Sequence, residues 1–160
     1  MEQPPITVIY RHKKENLKKC SLRGLEERND IQFYTYPKNT LPTLSSYILL
    51  TLDALPLTKE DAQHGLLLID GTWRHAEVMY RQLENPHLFI RRSLPKELKT
   101  AYPRRQDDCP DPERGLASVE ALFAAYSILG KDTKGLLDFY HWKEIFLQKN
   151  PFLNSNSNST

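Results

Sequence analysis

The chain has 160 residues, of which 39% are hydrophobic and 26% charged, and its formal net charge is +2. These values are ordinary for a soluble globular protein, and the length predicts one domain with a buried core. No apolar stretch reaches the length of a membrane span, and the first residues do not resemble a signal peptide, so we expect a cytoplasmic protein. We place the domain at residues 1–153, within which residues 1–60 could form a small subdomain.

Cysteine and histidine spacing indicates no metal site. Cys20 and Cys109 lie far apart and belong to no Cys-x-x-Cys pair, so we expect reduced thiols. The five histidines include no pair at helical metal-ligand spacing near a carboxylate. We therefore predict that the protein binds no metal.

Apolar patterns predict the elements of the first half of the chain. A β-branched strand is expected at residues 6–10, followed by helical turns near Gly24. A second strand at residues 31–36 ends at Pro37, which cannot donate to a sheet ladder. Residues 42–55 show helical spacing, and the apolar positions of this predicted helix are Leu44, Tyr47, Ile48, Leu52 and Leu55.

The second half alternates strands with helices. In chain order we predict a turn or short helix at 58–62, a strand at 66–69, a helix at 73–83, a strand at 87–92, a helix that residues 115–121 open and Gly130 closes, and a helix at 133–148. Prolines and charges predict a long loop over 93–114, and the polar tail at 154–160 is expected to be disordered. The alternation predicts an α/β fold, a mainly parallel sheet with helices on both faces.

The most informative stretch is a strand, a tight turn and a helix around Asp70. Four aliphatic residues at 66–69 suit a strand that is buried on both faces. Gly71 permits a sharp turn, and Thr72 can cap the helix that follows. Asp70 then stands at the carboxyl end of a central strand, where open α/β sheets bind ligands. The alternative is that Asp70 only caps the helix and that Trp73 belongs to the core.

Basic residues fall into three groups. A solvated surface explains any one group, whereas convergence on one cleft would form a track for phosphates. The groups are Arg11-His12-Lys13-Lys14 with Lys18, Lys19 and Arg23; Arg91-Arg92 with Lys96 and Lys99; and Arg104-Arg105.

Two motifs resemble one known family. Asp70-Gly71-Thr72-Trp73 resembles the signature of the DTW-domain family, whose members are S-adenosylmethionine-dependent 3-amino-3-carboxypropyltransferases acting on RNA. Residues 116–121, Leu-Ala-Ser-Val-Glu-Ala, resemble the second signature of that family, a Leu-Ser-Thr-x-Glu-Ala segment. Ala117 stands where the family usually has serine, and Ser118 where it has threonine.

Weaker matches resemble the ribosomal-RNA branch of related transferases. They are Lys18-Lys19-Cys20-Ser21, Leu94-Pro95 and the segment from Leu136 to Phe152. That branch typically has cysteine and serine before the tryptophan, where this chain has Gly71-Thr72. The tRNA branch often carries an N-terminal cysteine cluster, which this chain lacks. The resemblance implies a SPOUT-like fold in which the chain near the cofactor threads a trefoil knot.

The resemblance also implies a set of site residues. Asp70 would act as the catalytic residue, either as the base that takes the proton from uridine N3 or as the group that orients the cofactor's ammonium. Trp73 could pack on the cofactor near its sulfonium. Glu120 could anchor the cleft or simply stabilise a helix N-terminus, and the leucines of the set could belong to the core. The implied S-adenosylmethionine-binding residues are Ser21, Thr72, Trp73, Leu94, Leu98, Leu116, Ser118 and Glu120.

The implied partner is RNA, and the preferred substrate is N3 of a tRNA uridine because the chain has the Gly71-Thr72 form. The alternatives are the same transfer to ribosomal RNA, a non-catalytic RNA-binding assembly factor and an RNA methyltransferase. The residues expected to face RNA phosphates are Arg11, Lys13, Arg74, Arg91, Arg104 and Arg105.

Overall fold

The computed structural model describes residues 6–14, 21–42, 44, 46–51, 54–71, 73–83, 89–102 and 116–153. Its strands are β1 (Thr7–His12), β2 (Ile31–Tyr36), β3 (Ile48–Leu50), β4 (Leu66–Asp70) and β5 (Ile90–Arg92). Its helices are α1 (Trp73–Arg81), α2 (Ser118–Leu129) and α3 (Lys143–Lys149), with short 3-10 turns at Leu25–Glu27 and Lys59–Gln63. The strands form one sheet in the order β2-β1-β4-β3-β5, and every described pairing is parallel.

The sheet separates two apolar clusters. Side chains alternate along each strand, so Ile9 and Leu68 join the cluster that contains α2, whereas Val8 and Leu67 join the cluster that contains α1. All five residues of β4 are buried, as expected for a central strand covered on both faces. The predicted parallel α/β sheet with helices on both faces is therefore confirmed.

The helix predicted at residues 42–55 is wrong. Ile48–Leu50 forms β3, which lies between β4 and β5 in the sheet. A strand that is buried on both faces consists of consecutive apolar residues, as β3 does. The helical spacing of the apolar residues around it is a coincidence. Leu55, assigned to the apolar face of that helix, is 69% exposed.

The single helix predicted at 133–148 is correct only in its second half. The structure has turns from Lys134 to Trp142, and α3 begins at Lys143. Gly135 adopts a left-handed conformation with φ of +83°, which interrupts a right-handed helix. Leu136 and Leu137 are nevertheless buried in the α2 cluster, so the apolar pattern identified core residues but not their backbone conformation.

Other bounds agree more closely with the patterns. β2 ends immediately before Pro37, and Gly130 closes α2 with φ of +74°. β1 extends to His12, two residues beyond the predicted strand, and this extension carries Arg11 into the sheet. In the parts of the chain that are described, no helix has both the length and the apolar character needed to cross a bilayer.

Candidate active site

The candidate site lies at the carboxyl edge of the two central strands. Asp70 is the last residue of β4, and Arg11 lies opposite it in the register of β1. Register partners project to the same face of a sheet, so both side chains point toward α2. Arg11 Nε lies 3.4 Å from Asp70 Oδ2, and the two side chains are 9% and 6% exposed. A buried guanidinium and a buried carboxylate thus meet at the edge where α/β sheets bind ligands.

Ser118 joins this pair from the N-terminus of α2. Its hydroxyl donates a hydrogen bond of 2.6 Å to Asp70 Oδ1, across 48 positions of sequence. The partial positive charge of a helix N-terminus also favours a nearby carboxylate. The two signature motifs, which begin at Asp70 and Leu116, therefore meet through Asp70 and Ser118.

Ser21 supplies the helix cap that Ala117 cannot. Ala117 precedes α2 and has no side-chain acceptor, but Ser21 Oγ accepts a hydrogen bond of 3.1 Å from the Val119 N–H. This N–H belongs to the first turn of the helix, where no intrahelical acceptor exists. Ser21 was predicted in the cofactor pocket, and the structure places it against the helix that carries Ser118.

We expect Ser21→Ala to lower the free energy of unfolding by about 1 kcal/mol, because it leaves the Val119 N–H without this acceptor. Urea denaturation of purified protein measures the change. Ser127→Ala is the matched control on α2, because the Ser127 hydroxyl is buried and has no hydrogen-bond partner among the described residues. A loss for Ser127→Ala equal to that for Ser21→Ala would contradict the capping role.

Glu120, in the first turn of α2, anchors the loop at residues 98–102. Its carboxylate is fully buried, and Oε1 accepts from the Ala117 N–H at 2.8 Å and from the Thr100 hydroxyl at 2.6 Å. Oε2 accepts from the Ala101 N–H at 2.8 Å and from the Tyr140 hydroxyl at 2.9 Å. These contacts support the alternative that Glu120 anchors the cleft.

Asn150 holds the same loop from the C-terminal side, and sequence reasoning missed it. Its side chain accepts from the Lys99 N–H at 2.8 Å and donates to the carbonyls of Lys99 and Phe146. Leu98, the residue before Lys99, is 2% exposed within the α2 cluster. An asparagine next to Pro151 carries no sequence signal of this role, because the two Lys99 backbone groups that it binds lie 51 positions away.

The predicted pocket residues divide into core and partly buried positions. Leu98 belongs to the buried core, whereas Leu94 and Leu116 are partly buried and pack against it. Thr72 and the side chain of Trp73 lie outside what the structure describes, so their predicted roles stay predictions.

The predicted RNA-contacting cations occupy different surroundings. Lys13 and Arg74 are exposed, and they follow the carboxyl ends of the neighbouring strands β1 and β4. Arg91 is exposed on β5, at one edge of the sheet, and Arg104 and Arg105 lie outside the described residues. Arg11 does not fit a surface contact with phosphates, because it is buried and paired with Asp70 and with Glu26, at 3.3 Å.

Two stacked histidines lie on the opposite face of the same sheet edge. The rings of His12 and His75 are 3.9 Å apart and nearly parallel, and Tyr36 packs on His12 at 5.5 Å. A side chain at Gly71 would approach the Cβ atoms of both histidines at 3.3–3.4 Å, so the turn after Asp70 packs closely against them. Sequence reasoning missed the pair because the two residues are brought together only by the pairing of β1 with β4.

Burial lowers the pKa of His12, and the neighbouring His75, Lys14 and Lys13 lower it further. His12 Nδ1 also accepts a hydrogen bond of 3.1 Å from the Lys14 N–H, which requires that this nitrogen carry no proton. A lowered pKa in the folded state means that acid favours the unfolded chain. We expect the contribution of His12 to stability to be complete above about pH 6.5 and to decrease as the pH falls below it.

Urea denaturation between pH 7.5 and 5.5 tests this expectation. His12→Asn should reduce the loss of stability on acidification, whereas the exposed His141→Asn variant should keep the wild-type pH dependence. A His12→Asn curve parallel to that of wild type would show that another group is responsible.

In the described parts of the chain, no group of three or more His, Cys, Asp or Glu side chains could hold a metal ion. The site is instead built from a carboxylate, a guanidinium and a hydroxyl, which suits an organic ligand bearing charged groups.

The structure is a parallel α/β domain with a buried charged cluster at the carboxyl edge of its central strands. Residues 3–146 match the family model of the DTW domain, and the chain belongs to the DTW domain family. The resemblance predicted from the two motifs is thereby confirmed.

One solved structure is similar over most of its length. It is described as the SAM-dependent rRNA:acp-transferase Tsr3 from Vulcanisaeta distributa, with 26% sequence identity and a TM-score of 0.72. The alignment covers 97% of this chain and 84% of that protein. No curated protein sequence matches the chain. The trefoil knot implied by the resemblance stays a prediction.

Proposed function

We propose that this protein transfers a 3-amino-3-carboxypropyl group from S-adenosylmethionine to a base of RNA. Membership of the DTW domain family and similarity to the SAM-dependent rRNA:acp-transferase Tsr3 support this function. The single observation that carries it is the bond between Asp70 and Ser118, which joins the two signature motifs in one buried charged cluster.

The charges of the cluster fit this cofactor. S-adenosylmethionine, when bound, supplies a sulfonium that activates the γ-carbon of its methionine moiety toward a nucleophile. In the reaction a base nitrogen would bond to that carbon and lose its proton to water, while the carbon–sulfur electrons would pass to sulfur and methylthioadenosine would leave. The protein contributes mainly by alignment, because the same cofactor could instead present its methyl group.

The surroundings of Asp70 favour an orienting role over that of a general base. Oδ1 already accepts a hydrogen bond from Ser118, and Oδ2 faces the guanidinium of Arg11. A carboxylate held between two such partners is a fixed negative charge, suited to bind the ammonium of the methionine moiety. We assign Asp70 this role.

Exposed cations near the strand ends are the proposed contacts to RNA. Lys13 and Arg74 are both exposed next to the carboxyl edge that carries Asp70. Arg91, Arg104 and Arg105 remain proposed contacts by their place in the basic groups.

We expect Lys13→Gln and Arg74→Gln each to weaken RNA binding and to reduce the slope of log affinity against log salt by about one unit. Fluorescence anisotropy over a salt series gives both quantities. Arg81→Gln is a matched control on α1, because Arg81 is exposed and pairs with Glu77 at 3.0 Å. An unchanged slope in both Lys13→Gln and Arg74→Gln would exclude contacts of these residues with phosphates.

The proposed substrate is N3 of a tRNA uridine, because Gly71 precedes Thr72-Trp73 as in the tRNA branch. Ribosomal RNA is the second candidate, since the similar structure is described as an rRNA:acp-transferase. Incubation with S-adenosylmethionine and RNA lacking the modification, followed by nucleoside mass spectrometry of separated tRNA and rRNA, distinguishes the two.

The same experiment separates the other candidate functions by mass. An aminocarboxypropyl nucleoside in one pool identifies the reaction and the RNA, whereas a methylated nucleoside would identify a methyltransferase. Cofactor binding without any product would contradict the proposed transfer and favour a non-catalytic assembly factor.

A further inference from the structure

We propose that Arg11 is a second orienting residue, whose Nε–H donates to the α-carboxylate of the methionine moiety of S-adenosylmethionine. This inference rests on the proposed function and assigns Arg11 to the cofactor instead of to RNA.

Among the described residues, the Nε–H of Arg11 is a buried donor that forms an ion pair but makes no hydrogen bond. The side chain is 9% exposed, and among the described residues Nε makes no hydrogen bond, although Asp70 Oδ2 lies 3.4 Å away. The rest of the guanidinium is held in place, because Nη2 contacts Glu26 Oε1 at 3.3 Å and the group lies 4.5 Å from the centre of the Phe33 ring. Buried donors in native proteins nearly always have a partner, so a ligand oxygen is expected next to Nε.

The chemistry of the methionine moiety matches the pair of side chains. Its α-ammonium and α-carboxylate are attached to one carbon, and Asp70 and Arg11 present the two complementary charges side by side. A hydrogen bond from a guanidinium to a full anion is stronger than one to a neutral carbonyl. An RNA base offers only neutral oxygens, so it matches this pair of charges less well.

Net charge points to the same ligand. One guanidinium lies between the carboxylates of Asp70 and Glu26, so the three side chains together carry one negative charge. S-adenosylmethionine carries an ammonium, a sulfonium and a carboxylate, and therefore one net positive charge. Binding at this place would neutralise the cluster.

Decarboxylated S-adenosylmethionine, which lacks only the α-carboxylate, provides the test. We expect the wild-type protein to bind S-adenosylmethionine at least about tenfold more tightly than the decarboxylated compound in isothermal titration calorimetry. Arg11→Gln should weaken binding of S-adenosylmethionine by about tenfold or more and leave the decarboxylated compound within about threefold, so that the preference disappears. Arg81→Gln is the control, since this exposed arginine pairs with Glu77 on α1.

Each other outcome overturns the inference. Equal weakening of both compounds in Arg11→Gln would mean that the residue only maintains the fold. Equal affinity of wild type for both compounds would exclude recognition of the carboxylate, and this measurement does not depend on whether Arg11→Gln folds. A product nucleoside formed by the same preparation would show that the proposed function still holds. Failure of wild type to bind either compound would overturn both the inference and the proposed function.

Discussion

An Asp70→Ala variant is expected to transfer aminocarboxypropyl groups at least about a hundredfold more slowly than wild type. The substitution removes the proposed partner of the cofactor's ammonium. It also leaves the Ser118 hydroxyl without its acceptor and Arg11 without one of its two carboxylates. Nucleoside mass spectrometry over a time course measures the rate, and the thermal unfolding midpoint shows whether the variant is folded.

Asp70→Asn separates the two roles that the sequence left open. The amide keeps a carbonyl oxygen that can accept from Ser118 but has no charge to bind an ammonium. If Asp70 orients the cofactor, Asn should raise KM for S-adenosylmethionine and leave the shape of the pH–rate profile unchanged. A fall in kcat without a change in KM, together with loss of a pH-dependent limb, would identify a general base instead.

Glu120→Ala is expected to lower the free energy of unfolding by about 3–5 kcal/mol. Four donors lose their acceptor: the N–H groups of Ala101 and Ala117, and the hydroxyls of Thr100 and Tyr140. Urea denaturation measures the loss, and Glu97→Ala, at an exposed position just before the loop at residues 98–102, should change stability by less than about 0.5 kcal/mol.

Glu120→Gln gives a finer test of the same site. Each carboxylate oxygen accepts from one backbone N–H, so an amide nitrogen in either place would face a donor that cannot turn away. We expect a loss of about 1–3 kcal/mol despite the similar shape of the side chain. A fully stable Gln variant would show that the charge and acceptor pattern of Glu120 are not required.

The local sequence pattern predicted the end of an element correctly where a proline or a glycine ends it. β2 stops before Pro37, and α2 ends at Gly130, because proline and glycine restrict the backbone directly. The apolar pattern did not identify β3. A buried strand of three residues is so short that the apolar residues around it also fit one side of a helix. The choice between them is made by pairing with β4 and β5, which no local window contains.

In the site, too, local sequence predicted some features, whereas contacts between distant segments determine the others. The motifs predicted that Asp70 and Ser118 are functional, and the strand-turn pattern placed Asp70 at the carboxyl edge. Their contact spans 48 positions and depends on how α2 packs against the sheet. Its neighbours in sequence, His12, Lys13 and Lys14, predict that Arg11 is one of a group of exposed cations. The extension of β1 instead turns its side chain inward, since neighbouring residues of a strand face opposite sides.

The two anchors of the loop at residues 98–102 have a consequence for hydrogen exchange. The amide of Lys99 is bonded to Asn150, 51 positions away, and that of Ala101 is bonded to Glu120, which also holds Tyr140. Neither amide can exchange unless these distant contacts open, so the loop and the segment from Tyr140 to Asn150 should exchange as one cooperative unit. The local stability of the loop then depends on α3 as well as on Glu120 of α2, and loosening α3 should weaken the protection of the loop while the central strands stay protected.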